Sequence, residues 1–191
     1  GNTFGGLIHS YCSNITLVNC TLSHSNARLG GAIGSTNSHH TWIDCLFHDN
    51  TASTGHAYDA GGAAYLWGSV PTNGKPQCPS SFHASRTTFR SNTSPYGSAL
   101  LLQVALQAIS IADCTFESSD TSSQGIITYN GDSFSTTLER TSFSGATAVD
   151  FRQPSTSSIR FVCMQTPSIR SAVGLSIATV PCSPSAPPPV A

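Results

Sequence analysis

Five segments of one design recur along this chain, and that recurrence limits its fold more than any other feature. They are Val18-Asn19-Cys20-Thr21-Leu22, Ile43-Asp44-Cys45-Leu46-Phe47, Ser85-Arg86-Thr87-Thr88-Phe89, Ala112-Asp113-Cys114-Thr115-Phe116 and Glu139-Arg140-Thr141-Ser142-Phe143. A sixth, weaker copy is Phe161-Val162-Cys163-Met164. Between third positions the steps are 25, 42, 27, 27 and 22 residues. The long step holds a segment near 68–81 with Pro71, Gly74, Pro76 and Pro79, which reads as an insertion. After the second, third and fourth copies comes an Asn or Ser (Asn50, Asn92, Ser119). A small-residue turn and a second apolar burst follow: Gly30-Gly31-Ala32-Ile33, Gly61-Gly62-Ala63-Ala64, Gly97-Ser98-Ala99-Leu100 and Gly125-Ile126-Ile127.

A repeat this short cannot bury an apolar face alone, but copies stacked about 4.8 Å apart can. No helical periodicity competes with the short strands. The expected fold is therefore all-β, a parallel β-helix with one coil per repeat. Alternation within the motif predicts that its third and fifth positions face inward. They form two ladders: Cys20, Cys45, Thr87, Cys114, Thr141, and Leu22, Phe47, Phe89, Phe116, Phe143. The second position faces out and reads Asn19, Asp44, Arg86, Asp113, Arg140. From Asp44 onward its charge alternates coil by coil, which favours this register over a slipped one.

The pairing of Gly-Gly-Ala-[Ile/Leu/Val] with Phe-x-x-Asn resembles the repeat of polymorphic outer-membrane proteins. The matching residues are Phe47-His48-Asp49-Asn50, Phe89-Arg90-Ser91-Asn92, Gly30-Gly31-Ala32-Ile33 and Gly61-Gly62-Ala63-Ala64. The resemblance covers about residues 1–150 and implies the pectin-lyase-like class, a right-handed parallel β-helix, here of about six to seven coils. The last copies depart from it, losing the Asn and the double Gly, and the third-position cysteine is not part of the usual motif. Activity is not implied, because such repeats recur in adhesins and other surface proteins.

Residues 1–180 are read as the β-helix, part of a longer chain or assembly, and 181–191 as a Pro-rich extended tail. Phe4-Gly5-Gly6-Leu7-Ile8 already looks like a mid-coil turn. The first coil is thus expected to be open and covered by a preceding segment or by other protein chains of an extracellular assembly. The tail resembles the hydroxyproline-rich stalks of green-algal and plant extracellular glycoproteins. That resemblance implies hydroxylation and O-glycosylation at Pro184, Pro187, Pro188 and Pro189. The sequons Asn14-Ile-Thr, Asn19-Cys-Thr and Asn92-Thr-Ser make Asn14, Asn19 and Asn92 N-glycosylation candidates.

Seven cysteines without a CxxC pair favour an oxidising compartment over a zinc knuckle. Cys12, Cys78, Cys163 and Cys182 are the disulfide candidates. Cys20 and Cys45, stacked on one ladder, are either bonded or buried as thiols. A secreted, cell-surface or cell-wall location is expected. Charged residues are only 9% of the 191, with eight Lys plus Arg. No basic stripe is present to neutralise phosphates, which argues against nucleic-acid binding. No apolar run approaches membrane-spanning length.

Chemistry is sparse. Of nine acids, only Asp44 and Asp113 recur regularly, and Arg86 between them would hold both ionised, whereas glycoside hydrolysis needs one protonated acid. No cofactor or metal is expected. His39, His40, His24, His48 and His56 are read as exposed loop histidines without the spacing of a metal site. Thr21, Thr88, Thr115 and Ser142 form an outer hydroxyl row broken by Leu46, read as strand propensity. Phe82, Tyr65, Trp67 and Tyr96 offer a sugar platform or simply side cover. The expected function is a non-catalytic extracellular structural or assembly glycoprotein module of a cell wall, surface filament or ciliary coat. A carbohydrate-binding adhesin ranks second and a polysaccharide lyase or hydrolase third.

Overall fold

The computed structural model describes residues 4–53, 60–68, 78–103, 106, 108–118, 123, 125–131, 135–145, 148–152, 158–163, 169–171 and 176–181. Its strands stack into three long parallel sheets and a short fourth. The first sheet runs β1 (Ile8–Tyr11), β5 (Ile33–Thr36), β9 (Ala64–Trp67), β12 (Leu100–Gln103), β15 (Ile127–Asn130), β18 (Val149–Phe151) and β20 (Ile169–Ser171). The second runs β2 (Asn14–Val18), β6 (His39–Ile43), β10 (Ser81–Ser85), β13 (Ala108–Ala112), β16 (Ser135–Glu139), β19 (Ser158–Val162) and β21 (Ser176–Val180). The third comprises β3 (Thr21–Ser23), β7 (Leu46–His48), β11 (Thr88–Arg90), β14 (Thr115–Ser118) and β17 (Ser142–Gly145). β4 (Asn26–Ala27) pairs with β8 (Thr51–Ala52). Each strand bonds to its counterpart one repeat away, so the chain is a right-handed β-helix with seven rungs in its two longest sheets.

Left-handed backbone residues make the corners. Cys12 and Asn37 (φ 48° and 50°) turn the first sheet into the second. Asn19, Asp44, Arg86, Asp113 and Arg140 (φ 41° to 54°) turn the second into the third, Cys163 (φ 56°) follows β19 in the same conformation, and His24, Asp49 and Ser91 (φ 52° to 55°) form the next corner. Asn, Asp and His tolerate this region better than most residues. This corrects the reading of the repeat as one alternating strand. The second position faces out because the chain bends there, between two separate strands. Four stacked glycines (Gly5, Gly30, Gly61 and Gly97, φ 62° to 69°) open the first sheet.

The interior follows the two predicted ladders, with looser ends. Phe47, Phe89, Phe116 and Phe143 stack with centroids 5.1, 4.6 and 5.1 Å apart and planes within 11°. Burying each of the inner rings contributes roughly 1.5–3 kcal/mol, and offset stacking about 0.5–1.5 kcal/mol per pair. Cys20 and Phe143, near the ends of their ladders, are only half-buried. Phe82, considered for a surface platform, instead lies in the core against Trp42, 4.7 Å between centroids.

The long repeat carries two insertions rather than one. One residue separates Ala27 from Leu29, but seven separate their register partners Ala52 and Ala60. Two residues separate Thr36 from His39, and 13 separate their partners Trp67 and Ser81. Both insertions lie at corners, so strand register passes them unbroken. The second ends at Cys78, which is disulfide-bonded to Cys12 on the first coil. Cys163 is also disulfide-bonded. Cys20, Cys45 and Cys114 are thiols. Burial pushes the Cys114 thiol up to about 11, so it stays protonated and inert. Cys182 and the prolines at 184 and 187–189 lie outside the described residues. Among the described residues no helix is long and apolar enough to cross a membrane.

Candidate functional site

Side chains on the outer face of the first sheet fall into two columns. One reads Tyr11, Thr36, Trp67, Gln103, Asn130 from rung to rung. Tyr11 is 66% and Trp67 38% exposed, among the few large apolar side chains that water reaches. They stand two rungs apart, roughly 9.6 Å along the axis. The other column reads His9, Gly34, Tyr65, Leu101, Thr128, Asp150. From Tyr65 to Asp150 it is buried, although it points away from the core. Its first part is covered by a second apolar cluster in which Phe4, Leu29, Ala60 and Tyr96 pack on Tyr65 and Leu101.

Between the columns lies a groove of about 280 Å³, lined by Tyr65, Tyr96, Leu101, Gln103, Asn130 and Arg152 among others. Its polar edge is already ordered. The Tyr65 hydroxyl donates to Gln103 Oε1, and burial raises the phenol to about 12, so it remains a donor. The Arg152 guanidinium lies 3.9 Å above the Tyr96 ring centre and reaches the buried Asp150 at 3.4 Å. Arg152 thereby spends its charge on Asp150 and covers one face of Tyr96. The groove offers amide and hydroxyl partners without a free charge, suited to a neutral hydroxyl-rich ligand more than to an anion.

Of the rings read as either a sugar platform or side cover, Tyr65 and Tyr96 line this groove, Tyr65 buried in the second apolar cluster, and Trp67 stands in the adjoining column. Tyr11, Gln103, Asn130 and Arg152 are new to the site. A signal for four of the five column residues is present in the sequence. Tyr11, Thr36, Trp67 and Gln103 each lie six residues after the leading Gly5, Gly30, Gly61 or Gly97. Arg152, from a later coil without that glycine, carries no such mark.

The recurrent acids are engaged elsewhere. Arg86 binds Asp44 through two contacts at 2.7 and 2.9 Å. Arg140 binds Asp113 at 2.5 and 2.7 Å and also touches Glu139. These guanidinium bonds hold the Asp44 and Asp113 carboxyls below the usual carboxylate range. Both stay ionised, and neither is the protonated acid of a glycosidase. The outer hydroxyl row is in register as Thr21, Leu46, Thr88, Thr115 and Ser142.

The sequons divide. Asn14 opens β2 and Asn19 sits at a corner, both exposed. Asn92 is only 2% exposed and its Nδ2 donates to the Phe47 carbonyl, so it is not available to a glycan in the folded chain.

The histidines also depart from expectation. His40 is buried on β6, its Nε2 2.7 Å from Ser35 Oγ and its ring edge-on to Trp42. Burial, with the neighbouring His39, drives its pKa down to about 4, so it is neutral. His24 and His48 meet Asp49 at one corner: His48 Nδ1 is 2.7 Å and His24 Nε2 3.8 Å from Asp49 Oδ2. His24 and Asp49 stand 25 residues apart, the step of the first repeat, so the signal lies in the repeat and not in the short spacings of a metal motif.

The geometry defines the class of the protein, a right-handed parallel β-helix with a lateral groove. None of the family models, characterised proteins or solved structures compared with the chain matches it.

Proposed function

We propose that this chain is a non-catalytic extracellular structural module, in which the β-helix serves as a rigid spacer within a larger protein assembly. One observation carries the reading: the acids that recur at the corners are consumed in register by arginines, Asp44 by Arg86 and Asp113 by Arg140. They fasten coil to coil rather than facing a substrate. The Cys12–Cys78 disulfide and the exposed Asn14 and Asn19 support an oxidising, glycosylating route. The similarity of the repeat to polymorphic outer-membrane proteins, and of the tail to hydroxyproline-rich algal and plant glycoproteins, supports a place at a cell surface or in a wall.

The test is peptide mass spectrometry of native material, joined to a reducing-end assay on neutral and acidic polysaccharides. Glycans on Asn14 or Asn19, or pentosylated hydroxyproline at Pro184 and Pro187–Pro189, with no new reducing ends, is the expected result. Empty sequons with bare prolines would sink the extracellular glycoprotein reading. Release of sugar ends by the pure chain would sink the non-catalytic one.

A second reading, glycan binding, is favoured by the outer column of the first sheet. Tyr11 and Trp67 present exposed rings two rungs apart, and Gln103 and Asn130 continue the line with hydrogen-bonding amides. Affinity electrophoresis against neutral polysaccharides tests it. Retardation of the chain that is lost in Trp67→Ala is expected, and equal mobility with and without sugar overturns it.

A further inference from the structure

We propose that the corner formed by His24, His48 and Asp49 is a binding site for a late first-row divalent metal ion, with Zn²⁺ as the representative ligand. The inference does not depend on the structural or glycan-binding readings above. It rests on three potential ligand atoms, one from each side chain, that lie within 4.8 Å of one another.

The fold brings them together in a fixed way. His24 and Asp49 hold the same left-handed corner on successive coils, with φ of 55° and 54°. The His24 amide donates to the His48 carbonyl at 3.3 Å, and the Asp49 amide donates to the Arg90 carbonyl at 3.2 Å. The backbone is therefore anchored, and only side-chain torsions remain to adjust. The imidazoles already meet edge to face, centroids 5.3 Å apart at 84°.

Distances suit the ion. Tetrahedral zinc with bonds near 2.0–2.1 Å sets its ligand atoms about 3.4 Å apart. The contacts to Asp49 Oδ2 bracket that value, at 2.7 Å from His48 Nδ1 and 3.8 Å from His24 Nε2. Shifts of less than about 1 Å would make room for the metal. In the metal-free chain the short contact is a hydrogen bond from His48 to the carboxylate. Binding through Nδ1 moves that ring proton to Nε2, and no other proton need leave a neutral ring. Two imidazoles and one carboxylate select zinc, copper or nickel over calcium or magnesium, which need more oxygen ligands. His24 and Asp49 are largely open to water, with 73% and 46% of their side chains exposed, which leaves a fourth position for water or a donor from a neighbouring molecule.

One feature opposes the ion. Arg90 is the register neighbour of His48 on the next coil and carries positive charge. It is exposed, so water and salt screen it. Its removal should tighten binding, a response that distinguishes this corner from any other histidine on the surface.

The experiment is calorimetric titration of Zn²⁺ into the tag-free full chain with its disulfides formed, in a non-coordinating buffer. One ion per chain is expected. His24→Asn, chosen because Asn tolerates the left-handed corner, and His48→Ala should each weaken binding by about tenfold or more. Arg90→Ala should strengthen it, while His83→Ala and Cys20→Ser should leave it unchanged. Circular dichroism melts without metal check that each variant folds. Absence of binding overturns the proposal. So does binding that survives both histidine variants, or that disappears with Cys20→Ser.

Discussion

Asn92 donates from Nδ2 to the carbonyl of Phe47 at 2.9 Å, one coil below and inside the solenoid. Its Oδ1 accepts from both the backbone and the side-chain nitrogen of Asn50, at 3.1 and 3.0 Å. Asn50 repeats the arrangement, donating to the Leu22 carbonyl and accepting from the Ser25 amide. The Phe-x-x-Asn pattern is thus an amide ladder that supplies partners to backbone groups at a corner where strand pairing lapses.

Removing one member leaves buried donors and acceptors unmatched, at about 1–3 kcal/mol each. Asn92→Ala should destabilise the chain by about 2–5 kcal/mol in urea unfolding, since at least two partners lose their bonds. Asn92→Asp should also destabilise, because a carboxylate cannot donate to Phe47. In mass spectra of native material, peptides containing Asn92 should carry no glycan. A stable Asn92→Ala chain, or an occupied Asn92, would show that the ladder is not as the structure places it.

Gly61 shows the steric demand that the whole glycine stack shares. Its φ is +69°, and a Cβ there would stand 2.2 Å from the Ala64 carbonyl oxygen, backbone that cannot swing away. Gly61→Ala should therefore cost at least about 2 kcal/mol, more than the left-handed conformation alone. Ala at Pro95, exposed in the same coil, serves as the neutral comparison. Equal urea midpoints for the two variants would contradict the corner geometry.

The repeat made the architecture legible because strand pairing between identical positions forces identical faces together. Residues 20, 45, 87, 114 and 141 occupy one position of the repeat, and the aromatic ladder lies two residues after each of the last four. Two things were not legible. The motif's left-handed corner looks the same as an outward strand position in a pattern of polar and apolar letters, so the letters give the outward facing of Asp44 and Arg86 but not the bend that causes it. Contacts across coils, such as His24 with Asp49, or Arg152 with Tyr96, join side chains of different repeats, and the letters of a single repeat do not show which of them meet. A buried histidine is equally silent: His40 follows His39 on one strand, and only the facing of β6 decides which ring enters the core.

His40 gives the chain a defined acid sensitivity. Ser10 donates to Ser35, and Ser35 faces His40 Nε2, each at 2.7 Å, a relay that accommodates a neutral ring. His40 Nδ1 is buried without a partner among the described residues. The folded pKa of about 4 lies below the ordinary imidazole value of 6.5 because burial disfavours the charged ring. Above 6.5 both states are neutral and stability is complete. Between 6.5 and 4 the unfolded chain takes up a proton that the folded chain refuses, so stability falls with pH, by a total on the order of 3 kcal/mol. Asp44, Asp49 and Asp113, whose folded pKa values lie below 3.8, lose their contribution only beneath that value, outside this window. Urea midpoints measured from pH 7 to 4 should decline in the native chain and decline less in His40→Leu. The same slope in both would remove His40 from the account.

The Cys12–Cys78 disulfide holds together what the larger insertion separates. Cys12 occupies the corner after β1, and Cys78 stands three residues before β10, two rungs along. The bond closes 66 residues of sequence, for which the loop-entropy account gives about 4 kcal/mol of stabilisation. Its effect should concentrate in the first coil. β1 and β2 are end strands of their sheets among the described residues, and Leu7, Tyr11 and Val18 there are more than half exposed. Little apolar burial holds that coil otherwise. Cys12→Ser with Cys78→Ser should lower global stability by a few kcal/mol. It should also raise amide exchange in 8–18 well above that in 81–90, where strands pair on both sides. Reductant alone does not isolate the effect, because Cys163 is also disulfide-bonded. Uniform loss of protection across all coils would mean that the bond acts only on the unfolded chain and does not clamp the first coil.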